Sequence, residues 1–138
     1  MLVKCINAKY QENPKSLRFG NVYIVLSFRL IIGKQNEYCK VCVQNDDDDY
    51  PCVFDFSNFE IIDERIPDDW IIAYVNSGFY LIPKAFDGDF WERFHDSDKW
   101  AEQTFERVME DLKEFHGLST PKAIEYVDPY SWPFEEYK

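Results

Sequence analysis

A chain of 138 residues with 46% apolar and 18% aromatic side chains is long enough for one hydrophobic core, and too rich in Phe, Tyr and Trp to be a disordered acidic tail. Its net charge of −11 works against direct nucleic-acid binding, whose affinity comes chiefly from cations meeting phosphates. The charge is also divided unevenly: residues 1–45 carry seven Lys/Arg against two acids, and residues 46–138 carry eight against 24, so a basic first third is followed by a body built for solubility or for a basic partner.

In chain order, the first sixty residues read as short antiparallel strands: Val3 to Ile6, the β-branched and aromatic run Asn21 to Ile32, Tyr38 to Val43, Pro51 to Phe56 and Phe59 to Ile62. Turn chemistry separates them at Gln11 to Ser16 with its Asn13-Pro14, at Gly33 to Asn36, and at Asn45 to Asp49. After Ile66-Pro67-Asp68-Asp69, Trp70 to Val75 and Phe79 to Ile82 flank Asn76-Ser77-Gly78 and read as a β-hairpin. Helical periodicity follows in Phe86 to His95 and more strongly in Asp98 to His116. There Ala101, Phe105, Val108, Met109, Leu112 and Phe115 make one apolar stripe, with Ser97 or Asp98 as N-cap and Gly117 at the C′ position. Val127 to Lys138 is irregular and aromatic, with Pro129 and Pro133 excluding a long helix.

The expected fold is α+β: a bent antiparallel, SH3-like sheet in the N-terminal part, then a β-hairpin and C-terminal helices packed on that sheet. The chain is read as one domain over 1–138. Its β-rich half covers 1–66, and the hairpin, two helices and aromatic tail cover 67–138, the two sharing one core. The longest apolar run, Trp70 to Val75, is too short to span a bilayer, and Met1-Leu2-Val3-Lys4-Cys5 lacks the features of a signal peptide, so the expected location is the cytoplasm.

Cys5, Cys39, Cys42 and Cys52 are compatible with two disulfides or one zinc site, but without an export signal reduced thiols are the default. Cys39-Lys-Val-Cys42 matches C-x-x-C, yet it lies in a strand, where residues three apart face opposite ways, and no second such pair exists. No metal and no cofactor is expected. His95 and His116 are the only histidines, and the chain lacks H-E-x-x-H, G-x-S-x-G, a P-loop and G-x-G-x-x-G, so no catalysis is expected.

Two acidic groups stand out as candidate partner-binding residues. Asp46, Asp47, Asp48 and Asp49 form the densest charge in the chain; as an EF-hand they fail, because Pro51 falls where Gly is needed and Ser57 where the bidentate Glu belongs. A plain polar hairpin tip, a partner-contact loop and an ion site shared with distant carboxylates all remain open. Glu102, Glu106, Glu110 and Glu114 recur every four residues, so they line one helix face as either a solvated surface or a docking face for a basic partner.

Ile82-Pro-Lys-Ala-Phe86, then Gly88-Asp-Phe-Trp-Glu-Arg-Phe-His-Asp-Ser-Asp98, followed by an amphipathic helix with Phe105-Glu106, resembles small immunity proteins of bacterial toxin–immunity systems, including the contact-dependent growth inhibition type. The N-terminal third, with Lys4-Cys5-Ile6, Leu17 and Gly20-Asn-Val-Tyr23, resembles small SH3-like β modules of phage and bacterial proteins. The first resemblance implies a cytoplasmic, non-catalytic protein that binds and neutralises one cognate toxin domain, frequently a basic nuclease, by occluding its active or substrate-binding site. The second implies an adaptor or phage-encoded interaction module with another protein partner. Neither carries a functional residue across.

Overall fold

A computed structural model describes residues 1–11, 16–32, 37–75 and 78–118. The expected turns at Asn13-Pro14, Gly33 to Asn36 and Asn76-Ser77, and the aromatic tail with Tyr130, Trp132, Phe134 and Tyr137, lie outside the described residues. The chain divides into two compact units, Met1–Lys84 and Ala85–Lys138. With two antiparallel sheets and two C-terminal helices, the fold is α+β.

The first unit contains β1 (Leu2–Cys5), β2 (Val22–Ile24), β3 (Ser27–Ile32), β4 (Glu37–Gln44), β5 (Pro51–Asp55), β6 (Phe59–Asp63), β7 (Trp70–Val75) and β8 (Gly78–Pro83). They form a three-stranded sheet in the order β2-β1-β6 and a five-stranded sheet in the order β5-β4-β3-β8-β7, with every pairing antiparallel.

The run Asn21 to Ile32, which reads as one strand, is broken at Val25 and Leu26, both wholly buried. Val25 N–H donates to the Met1 carbonyl at 3.1 Å and Leu26 N–H to the Cys42 carbonyl at 2.8 Å, so the chain leaves one sheet and enters the next with its backbone bonded at each step. The return crossing is a 3₁₀ turn, Phe56–Asn58, between β5 and β6. It is pinned by the buried Asn58 side chain, which donates to the Asp55 carbonyl at 3.0 Å and accepts from Asn7 Nδ2 at 2.7 Å. The bent strand and the 3₁₀ return are thus the two places where the chain passes between the sheets.

Alternation fills the core. Val3 and Cys5 of β1, with Met1 just before it, join one cluster with Tyr23, Val41, Val43 and Phe59 from both sheets and Val25 from the crossing, while Leu2 is also buried and Lys4 is half-buried. The β7–β8 hairpin joins the second sheet through β8 against β3. Gly78 is obligatory there, because a Cβ would stand 1.9 Å from the Leu30 carbonyl oxygen.

A 3₁₀ turn, Lys84–Phe86, leads from the first unit into the second, which contains α1 (Phe90–His95) and α2 (Lys99–Phe115). Phe86 stacks on Phe90 at 4.4 Å between ring centroids, and Phe105 from α2 lies 6.0 Å from Phe86 and 4.9 Å from Phe94. Of the expected stripe, Ala101, Phe105, Met109 and Leu112 are buried, Val108 is half-buried and Phe115 is exposed; Thr104, on the same side, is buried instead. Asp98 is the N-cap, accepting from Trp100 N–H at 3.0 Å. Arg93 also bonds Asp98, which holds that carboxyl below its ordinary range, and the guanidinium lies 4.4 Å from the Trp100 ring centre. The helix ends as a Schellman motif: Gly117 at φ +68 donates to the Glu114 carbonyl at 3.0 Å and Leu118 to that of Lys113 at 2.8 Å. No helix among the described residues is long and apolar enough to cross a membrane.

Gly78→Ala is expected to cost about 3 kcal/mol, the upper end for overpacking, because its steric partner is backbone that cannot rotate away. Leu112→Ala, which empties a buried site on α2, is expected to cost about 2 to 5 kcal/mol. Urea unfolding of each variant against the parent checks both values.

Candidate functional site

The acidic hairpin joins β4 to β5, and its frame is Asn45, a buried residue. Asn45 Oδ1 accepts from the N–H groups of Asp47 at 2.9 Å and Asp48 at 3.1 Å, while its Nδ2 donates to the Tyr50 carbonyl at 3.1 Å. Asp48 Oδ1 accepts from Tyr50 N–H at 3.0 Å, and Gln44 Nε2 donates to the Asp49 carbonyl at 2.9 Å. Asp49 takes the left-handed conformation, φ +58, which Asp tolerates better than most residues. The turn is therefore held by its own side chains, and it keeps Asp47, Asp48 and Asp49 exposed.

Asp46, grouped in the sequence with the three aspartates that follow as a candidate partner-binding residue, differs from them in the structure. It is half-buried, its N–H donates to the Ser16 carbonyl at 2.8 Å, and its carboxylate accepts from the Tyr23 hydroxyl. That hydroxyl in turn accepts from Arg18 N–H at 2.7 Å. Tyr23 is 7% exposed, and burial, followed by its bond to Asp46, pushes its phenol well above the ordinary tyrosine value. Asp46 thus ties the hairpin to β2 and to the segment before it. No linear signal separates it from the three aspartates that follow, and Asn45 and Tyr23 were not among the sequence candidates.

On α2, Glu106, Glu110 and Glu114 are exposed and Glu102 is half-buried. Lys99 Nζ approaches Glu102 Oε1 at 3.3 Å and Lys113 Nζ approaches Glu110 Oε1 at 3.7 Å, so the row is partly neutralised at both of those positions. The hairpin aspartates belong to the first unit and the glutamate row to the second.

Part of the basic first third forms a row across the five-stranded sheet: the register aligns Tyr80, Arg29, Lys40 and Asp55 on neighbouring strands. Arg29 lies over Tyr80 at 4.9 Å, Lys40 over Tyr38 at 5.4 Å, and Lys40 pairs with Asp55 at 3.4 Å. These cations are used within the sheet.

The four cysteines are free thiols. Cys39 and Cys42 sit three apart in β4, in register with Leu30 and Ser27, so they face opposite sides of the sheet as the strand reading requires. Burial pushes the Cys42 thiol up to about 12, with nearby Cys52 adding to the shift and a Ser27 hydrogen bond opposing it, and burial also raises Cys39. Neither is a thiolate nucleophile at neutral pH. Among the described residues, no group of three or more His, Cys, Asp or Glu side chains is arranged to hold a metal ion. Compared with protein-family models, with curated proteins and with solved structures, the chain matches none.

Tyr23→Phe is expected to destabilise the protein by about 1 to 2 kcal/mol, because the part-buried Arg18 N–H and Asp46 contacts lose their common partner. Since the fold favours the neutral phenol, Tyr23's contribution is complete below the ordinary tyrosine value and declines as pH rises above about 10. Melts between neutral and alkaline pH check both points, and the alkaline decline should be shallower in Tyr23→Phe.

Proposed function

We propose that this chain is a non-catalytic binding protein of the toxin-immunity kind, which meets a basic protein partner, such as a nuclease toxin domain, and occludes its active or substrate-binding site. The observation that carries the reading is the Asn45 frame, which holds Asp47, Asp48 and Asp49 outward in a fixed arrangement. Carboxylates fixed before binding lose little conformational freedom on meeting lysines and arginines, so more of their attraction survives as affinity. The exposed Glu106, Glu110 and Glu114 supply a second acidic face. The −16 balance of residues 46–138 would speed encounter with a cationic surface. The resemblance around Ile82 to Phe86 and Gly88 to Asp98 supplies the immunity class and the cytoplasmic setting.

A second reading, an SH3-like adaptor or phage-encoded interaction module, is favoured by one observation: the bent β2–β3 strand and the 3₁₀ return before β6. Such a module binds extended, largely apolar segments, so it would tolerate loss of the acidic faces.

Two charge-altered proteins separate the readings: Asp47 changed to lysine with Asp48 and Asp49 changed to asparagine, which keeps the acceptor for Tyr50 N–H and tolerates the left-handed backbone, and Glu106, Glu110 and Glu114 changed to lysine. Both should fold, as circular dichroism melts will report, because these side chains are exposed. Each is then co-expressed with the basic protein that co-purifies with the tagged parent chain. At least one should lose protection of the cell; two folded variants that both protect fully would reduce the carboxylates to a solubility feature.

A further inference from the structure

Strand β7 is an edge of the five-stranded sheet; among the described residues it pairs with β8 alone. Asp69's carbonyl accepts from Lys84 N–H at 3.1 Å, in register with the Trp70–Pro83 pair that follows. By alternation the odd-numbered residues of β7 aim their backbone groups at β8, and Ile72 and Tyr74 aim theirs away from the sheet. Trp70 N–H, the remaining outward donor, is taken by the Pro67 carbonyl at 3.2 Å. The side chains of Ile72 and Tyr74 are 54% and 84% exposed, on the face from which Trp70 packs against the buried cluster. Soluble proteins protect such edges with charges, prolines or bulges, yet Trp70-Ile-Ile-Ala-Tyr-Val75 has no charge and no proline in a chain that is 30% charged.

We propose that this edge pairs with the same edge of a second copy, joining two five-stranded sheets into one across a two-fold axis at Ala73. The occupant follows from self-complementarity. The outward residues are two apart, so an antiparallel two-fold pairing sets each Ile72 opposite the other copy's Tyr74 as a hydrogen-bonded pair, and each junction joins a β-branched to an aromatic side chain, a favourable cross-strand combination. Charge permits this arrangement. Asp69 of one copy and Asp69 of the other fall eight residues apart along the paired strands, about 27 Å, several times the Debye length of about 8 Å at physiological salt. One strand joint buries an area at the low end for specific interfaces, so the dimer is weak and exchanging. Two chains of net charge −11 also repel, so salt strengthens the association. This is opposite in sign to encounter with a basic partner, and the two proposals therefore fail independently.

Sedimentation equilibrium from about 10 µM to about 1 mM is expected to give a monomer–dimer equilibrium, tighter at about 0.5 M than at low salt. Tyr74→Lys lowers the net negative charge and so relieves repulsion, yet it should weaken dimerisation at least about tenfold by placing a cation in the joint. Ile72→Pro, which removes an outward N–H and leaves the β8 pairing intact, should do the same. In amide hydrogen exchange of the parent, Ile72 and Tyr74 should gain protection with concentration while Ala73, already bonded to β8, should not. A monomer at the highest concentration and salt, a dimer unaffected by Tyr74→Lys, or protection gained away from β7 overturns the proposal.

Discussion

The first unit depends on one crossing of the chain, at Val25 and Leu26, where a strand serves two sheets. The crossing is stable because both side chains are wholly buried and both backbone N–H groups keep partners, Met1 on one side and Cys42 on the other. A buried strand break with unpaired amides would cost about 1 to 3 kcal/mol per group. From this point β2 carries β1 and β6, and β3 carries β4, β5 and the β7–β8 hairpin. Tyr23 stands two residues before the crossing. Its hydroxyl reaches Asp46, and the acidic hairpin is thereby fixed to the strand that organises the unit.

This linkage gives the four aspartates different roles. Asp46 is consumed in tying the hairpin to Tyr23, Asp48 bonds within the turn while staying exposed, and Asp47 and Asp49 face solvent. A hairpin tip of like charges is self-repelling, and Asn45, Gln44 and Asp48 oppose that repulsion by supplying the turn's hydrogen bonds.

The parts of the structure legible in the sequence are those governed by near neighbours. Asp98 as N-cap and Gly117 at C′ follow from local chemistry, and the strands follow from alternation and β-branching, so their expected ends differ from the observed ones by a residue or two, whereas α1 begins at Phe90 and not at the expected Phe86, which ends a separate 3₁₀ turn. The break at Val25-Leu26 was not legible, since two apolar residues inside an apolar run look like more strand. The distinction between Asp46 and Asp47 to Asp49 was hidden for a related reason: it depends on Tyr23 and Ser16, 23 and 30 positions away. In α2 the stripe was correct in direction but not in membership. Thr104 is buried where periodicity counts only apolar residues, and Phe115 is exposed in the helix's last turn.

The central claim is that fixed carboxylates on an acidic body carry recognition of a basic partner. The most direct measurement is the association rate constant with the purified partner as a function of ionic strength, by stopped-flow fluorescence of the native tryptophans. The account predicts a fall of about tenfold or more from low salt to about 0.5 M with a nearly constant dissociation rate, since long-range charge governs encounter. An association rate independent of salt would contradict it.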